Sequence, residues 1–252
     1  MPPETLVVIA DAHLGDAPPE VEEALLEFLE RLPELGDSLL VNGDLFDFWF
    51  AYRHVIPRRG FHVAASLRAL RRRGMPIVMV GGNHDRWGED FWREDLGLVF
   101  EPLQARFHAA GREILAAHGD GVIEEHWSAA LMHRLTRHPA AVAAYRAIHP
   151  DLGIGLVDRL SRRLGYTTRD PTLLEAAAAR QQAWGLRALA DDPTLGLVVM
   201  GHTHAAAAVE ALPGRWYLNP GAWFDGYRYA VVTAGGVELR QYLNLPAPAP
   251  PR

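Results

Sequence analysis

The chain has 252 residues, 49% hydrophobic and 22% charged, an ordinary balance for a folded protein with one sizeable core. Arginine supplies all 25 basic residues, and 31 acids leave a formal net charge of −6, which speaks against a general nucleic-acid binder. The absence of cysteine excludes disulfides, thiolate metal sites and cysteine nucleophiles together.

The opening MPPETLVVIAD has no basic residue ahead of its short apolar run, so it reads as a first strand and not as a signal peptide. No stretch offers the roughly 20 uninterrupted apolar residues of a membrane span, and the expectation is a cytoplasmic enzyme. After the predicted strand Leu6–Ala10, the segment PPEVEEALLEFLERL places Val21, Ala24, Leu25, Phe28, Leu29 and Leu32 at helical spacing. Its prolines stand at the start and its acids in the first turn, as a helix beginning prefers. A strand at Leu39–Val41 leads to the aromatics Phe46, Phe48, Trp49, Phe50 and Tyr52, read as core. The helix FHVAASLRALRRRG then ends in Arg71–Arg73 and Gly74, a basic last turn expected to stand in solvent.

Further strands are predicted at Ile77–Val80 and Ile114–Ala117. From about 121 to 170 the composition turns helical and interrupts the strand series, as an inserted cap would. A helix near Pro171–Ala190 follows. Strands at Leu197–Met200, Trp216–Leu218, Tyr227–Thr233 and Val237–Leu243 close the chain, with a hairpin at Gly235-Gly236. The prediction is an α/β fold with residues 1–245 as a single domain and a disordered Pro/Ala tail at 246–252.

Five of these apolar runs end in side chains that bind metals. They present Asp11 and His13; Asp44; Asn83 and His84; His118; and His202 and His204. In open α/β sheets the carboxyl ends of strands face the ligand crevice, and residues two apart in extended chain point the same way. Asp11, His13, Asp44, Asn83, His118, His202 and His204 are too many ligands for one transition metal. Asp44 has two oxygens and could bridge two ions, one on Asp11, His13 and His204, the other on Asn83, His118 and His202. Two divalent cations against two carboxylates leave a formal +2, which attracts phosphate and lowers the pKa of a bound water. Imidazole and carboxylate without sulfur suit Mn, Fe, Co or Zn. No Gly-x-Ser-x-Gly elbow competes with this reading.

The series DAHLG, GDLFD, GNHD, HGD and GHTH resembles the signature of the calcineurin-like metallophosphoesterases. The resemblance implies a four-layer α-β-β-α sandwich of two mixed sheets, here with the helical cap inserted. It makes His84 the catalytic group that stabilises or protonates the leaving oxygen, with Asp85 orienting it and Asp47 as a further partner.

Within that superfamily, GDLFDFWFAYRHVIP, GNHDRWGEDFWREDLGL, AIHPDLGIGLVDRLSRR and NPGAW are similar to the UDP-2,3-diacylglucosamine diphosphatases of lipid A biosynthesis. That likeness implies a manganese-dependent hydrolase working at the inner face of the inner membrane as a peripheral protein. Water attacks the α-phosphorus, giving UMP and 2,3-diacylglucosamine 1-phosphate. Many members carry GNRD where this chain has GNHD. From Pro150 to Leu164, Leu152, Leu156, Leu160 and Leu164 recur every four residues beside Arg159, Arg162 and Arg163. Such a helix could meet acyl chains and phosphate, or pack its leucines on the body. Asn83, Arg53 and Arg86 are further candidates for the substrate phosphates, with Arg58 and Arg59 beside Arg53. The alternatives are a phosphoesterase for a soluble phosphodiester or nucleotide, and a binding module that keeps the fold without catalysis.

Overall fold

The first strand is apolar on both faces, and the two faces serve two different cores. The computed structural model describes residues 3–88, 90–121, 136, 138–164 and 171–242, apart from the side chains of 158, 160–164 and 171. In β1 (Thr5–Ile9), Val7 and Ile9 face outward and Leu6 and Val8 inward, as a period of two requires. The same division holds in β2 (Ser38–Asn42), where Leu39 and Val41 oppose Leu40. In β3 (Ile77–Val80), Ile77 and Met79 oppose Val80.

These three strands are parallel, and β4 (Val99–Glu101) adds a parallel edge. On the other side β10 (Arg228–Thr233) and β11 (Gly236–Gln241) join antiparallel as the hairpin, giving the order β11-β10-β1-β2-β3-β4. The second sheet holds β5 (Gln104–Ala109), β6 (Arg112–Ala117), β7 (Leu195–Val199), β8 (Ala207–Leu212) and β9 (Arg215–Asn219) in the order β5-β6-β7-β9-β8. Its centre, β6-β7-β9, is parallel.

Four layers result. The outer face of the first sheet packs on α1 (Pro19–Leu35) and α2 (Phe61–Arg72) through Val21, Leu25, Phe28, Leu29, Val63 and Leu67. Each of these larger side chains stabilises the fold by roughly 1.5–3 kcal/mol through apolar burial. The two sheets meet through Leu6, Val8, Leu40 and Val232 on one side and Ile114, Ala116, Leu197 and Val199 on the other. The outer face of the second sheet, with Val198 and Tyr217, packs on Leu189 and Trp184 of α5 (Pro171–Asp191). This is the α-β-β-α sandwich. Within the expected cap, α3 (Pro139–Arg146) and α4 (Pro150–Leu164) are described; the tail at 246–252 and most of 121–137 lie outside the described residues.

Two expectations need correction. The strands β4, β5 and β8 were not foreseen. All three are sheet edges, where charged and small side chains blur the alternation. Nor is the Arg71–Arg73 turn wholly solvated. Arg71 donates from Nε to the Gly97 carbonyl at 2.8 Å and from Nη1 to the Met75 carbonyl at 2.9 Å, tying the end of α2 to neighbouring loops.

Candidate metal centre

Every candidate ligand leaves the carboxyl end of a parallel strand: β1, β2 and β3 in the first sheet, β6 and β7 in the second. The centre therefore straddles the top of the sandwich, and hydrogen bonds cross between the sheets beneath it. Asn42 donates from Nδ2 to the Ala117 carbonyl at 3.2 Å, and both Asp11 oxygens accept from the His202 N–H at 3.2 and 3.0 Å.

The backbone here is bent sharply. Among the described residues seven non-glycines have positive φ, and five of them are Asp11, His13, Asp44, His202 and His204, between 45° and 64°. Such conformations cost on the order of 1–3 kcal/mol each, and they persist where surrounding contacts hold them. Close approach adds a second constraint. A Cβ at Gly82 would stand 1.9 Å from Asp44 Oδ1, so only glycine lets the GGNH loop lie against that carboxylate.

Asp44 is the hub. Its Oδ1 accepts from the His84 N–H at 3.0 Å, which leaves Oδ2 facing three imidazoles: His118 Nε2 at 3.0 Å, His13 Nε2 at 3.9 Å and His84 Nε2 at 4.0 Å. Asp11 Oδ1 lies 3.4 Å from His204 Nε2, 3.9 Å from His118 Nε2 and 4.0 Å from His13 Nε2. The ligand atoms group as Asp11, His13 and His204; as Asp44, His118 and His202; and as His13, Asp44 and His84, each set within 4.8 Å.

The hydrogen bonding fits cations. His118 Nδ1 donates to the Asn42 carbonyl at 2.9 Å. A neutral His118 thus turns the lone pair of Nε2 toward the carboxylates, a contact that only a proton or a metal ion makes favourable. Nε2 of His13 and of His118 and Oδ1 of Asn83 are buried without a hydrogen-bond partner among the described residues. Burial opposes charge throughout, yet the facing groups outweigh it. His118, His84 and His13 hold the Asp44 carboxyl well below its usual range, and Asp44 and Asp11 hold His118 well above its own. His202 is different: burial and the neighbouring His118 push it down to about 4.

Asp85 does not orient His84. Its oxygens accept from the backbone N–H groups of Leu45 at 2.7 Å and Gly82 at 2.9 Å, and burial beside Asp44 raises its pKa to about 6. The His84 ring is held by Asp47 instead: Nδ1 donates to the Asp47 carbonyl at 2.5 Å and lies 3.6 Å from Asp47 Oδ1. Although burial opposes it, Asp44 and Asp47 raise the His84 pKa.

The expected substrate residues divide. Arg86 is buried and paired through Nη2 with Asp120, the carboxylate that follows His118-Gly119; its Nη1 has no hydrogen-bond partner among the described residues. Asn83 lies in the centre's loop, whereas Arg53 and Arg159 are exposed, as are Arg58 and Arg59. The side chains of Arg162, Arg163, Leu160 and Leu164 lie outside the described residues. Leu152 and Leu156 do not pack on the body; they are 70% and 56% exposed. Phe46, Trp49 and Phe50 are core, while Phe48 and Tyr52 are half-buried against Tyr145 of α3.

The family model for calcineurin-like phosphoesterases matches residues 5–206. The chain is 30% identical over 242 residues to the UDP-2,3-diacylglucosamine hydrolase of Porphyromonas gingivalis, covering 88% of this chain and 91% of that one. It is 26% identical over 248 residues to the enzyme of the same name from Serratia proteamaculans, and 28% over 256 residues to that from Stenotrophomonas maltophilia. Each of these two matches covers 93% of this chain and 97% of the relative. The matched span runs from the first strand past His204 and takes in every strand that supplies a candidate ligand. The chain therefore belongs to the calcineurin-like phosphoesterase family and is a metal-dependent hydrolase.

Proposed function

We propose that the chain hydrolyses the pyrophosphate of UDP-2,3-diacylglucosamine to UMP and 2,3-diacylglucosamine 1-phosphate, using two manganese ions. The observation that carries the metal half of this reading is Asp44, whose one free oxygen faces imidazoles from both ligand groups. The substrate half rests on the relatives of that name, matched over most of their length. Asp11, His13, Asp44 and His204 would hold one cation, and Asp44, Asn83, His118 and His202 the other. Bound there, they would offset phosphate charge and lower the pKa of water.

The remaining work falls to the chain's own groups. His84, oriented through Nδ1 by the Asp47 carbonyl, donates from Nε2 to the β-phosphoryl oxygen that leaves as water attacks the α-phosphorus in line. Asp47 fixes the ring so that Nε2 faces the centre. Arg86, held through Nη2 by Asp120, would bind phosphate through Nη1, and Arg53, Arg159, Arg162 and Arg163 are its further phosphate ligands. α3 and α4 act as a cap, and Leu152 and Leu156 receive the acyl chains. Among the described residues no helix is long and apolar enough to cross a membrane, and the cap would reach its lipid at the inner face of the inner membrane as a peripheral contact.

The test compares turnover of UDP-2,3-diacylglucosamine with that of bis-p-nitrophenyl phosphate, both with added manganese. Release of UMP supports the reading. Hydrolysis of the diester alone would replace it with a soluble phosphodiester as substrate.

A further inference from the structure

One buried amide lies behind the metal centre and belongs to none of the ligand loops. Gln181 sits midway along α5 and is fully buried. Its Nε2 donates to the Gly201 carbonyl at 2.9 Å. Its Oε1 accepts from Thr203 Oγ1 at 2.9 Å, Asn219 Nδ2 at 3.3 Å and Tyr217 Oη at 3.4 Å. Asn219 completes the set from β9: its Nδ2 also reaches the Gly201 carbonyl at 3.2 Å and Thr203 Oγ1 at 3.1 Å. Gly201 and Thr203 flank His202, and Thr203 separates it from His204. The two histidines carry φ of 64° and 56°, so this loop is strained and needs outside support to keep its shape.

The same amide touches the second ligand loop of that sheet. A Cβ on Gly119, the residue after His118, would stand 2.1 Å from Gln181 Nε2, and the Gly201 N–H donates to the His118 carbonyl at 2.8 Å. Gln181 thus bears on the backbone beside His118, His202 and His204. His204 belongs to one ligand group, and His118 and His202 to the other.

We infer that Gln181 is a positioning residue: from outside the centre it sets the spacing of three imidazoles and so the occupancy of both cation positions. This rests on the metal reading proposed above. It also gives α5 a second task. Toward its start Leu173 and Leu174 are exposed, whereas Gly185 and Leu189 are buried against Tyr217 and the second sheet. Gln181 stands where the anchored half begins, and α5 is the helix through which the chain returns from the 139–164 segment to β7.

The experiment measures manganese stoichiometry and affinity on the full chain by equilibrium dialysis, together with the electron paramagnetic resonance spectrum. Gln181→Met keeps the length of the side chain and removes all four hydrogen bonds. The expected result is a 10- to 100-fold loss of manganese affinity, the usual cost of removing a group that supports ligands from outside, with the signal of an ion pair replaced by that of single ions. Gln182→Met, one residue along, should behave as wild type. Should Gln181→Met fail to fold, Thr203→Val removes one arm of the same network and should weaken binding in the same direction by a smaller factor. A folded Gln181→Met or Thr203→Val protein with wild-type affinity and the ion-pair spectrum overturns the inference. Wild-type protein that binds no manganese overturns the metal reading beneath it, a separate outcome.

Discussion

The ligand loops and the helices at 139–164 solve opposite problems. At the strand ends, positive-φ backbone is pinned by hydrogen bonds that cross both sheets, and Asp11, Asp44 and His118 are completely or almost completely buried. Along α4 and the link that precedes it the apolar side chains Ile148, Leu152 and Leu156 stand in solvent, and α3 buries none of its residues. Burial and cross-sheet bonding fix a centre whose atoms must keep their distances whatever the substrate. Exposed apolar residues on short helices leave room for a partner to supply the missing contacts. On the function proposed here, the chemistry sits in the part of the fold that cannot change cheaply, and the recognition in the part that can.

Breaking the rigid half gives the largest effects. Asp44→Ala removes the oxygen that faces both ligand groups and should abolish turnover together with manganese uptake; His202→Ala should do the same through one group first. Metal analysis of the purified variants checks both, and two tightly held ions in Asp44→Ala would sink the assignment. His84→Ala should keep both ions and slow the chemical step by about 100-fold or more, the usual scale of a lost proton donor. Single-turnover kinetics on metal-loaded protein separates that loss from weaker binding.

On the adaptable half, Leu152→Asp combined with Leu156→Asp should raise KM for the acylated substrate about tenfold or more, since burying one leucine is worth roughly 1.5–3 kcal/mol. Cleavage of bis-p-nitrophenyl phosphate should be unchanged, and an equal loss on both substrates would make the helices purely structural. The smallest effect belongs to the body's surface. Thr194 and Arg106 hold the Asp192 carboxyl down at about 2. Between its ordinary pKa near 4 and that value the unfolded chain binds a proton that the folded chain does not, so the stability this group adds is complete above pH 4 and fades as pH falls toward 2. Asp192→Asn should flatten that part of the acid-unfolding curve slightly, because exposed pairs are screened.

What could be read from the residues followed from periodicity. The unbroken apolar runs Leu6–Ile9, Leu39–Val41 and Ile77–Val80 mark central strands, because both faces of such strands are buried and neither carries a polar residue. The convergence of the candidate ligands was legible for a related reason: each directly follows an apolar run, and strand ends of parallel sheets face one crevice. Edge strands such as Gln104–Ala109 and Ala207–Leu212 escaped, since one side of each is free to carry Arg106, His108 or a run of alanines. The role that the family resemblance implied for Asp85 does not hold, because the loop turns its carboxylate to two backbone N–H groups. Gln181 left a faint signal: with Gly185 and Leu189 it repeats every four residues, which marks the packed face of α5.

The order of residues alone determined which side chains would stand at strand ends and that sulfur would take no part, because both follow from local pattern and composition. Only the tertiary structure decided which oxygen of Asp44 faces the imidazoles, that Asp47 and not Asp85 holds His84, and that an amide from a distant helix braces the histidine loop. These depend on how two sheets and a helix close on one another. A hydrogen bond between residues tens of positions apart has no periodic trace in the chain that makes it.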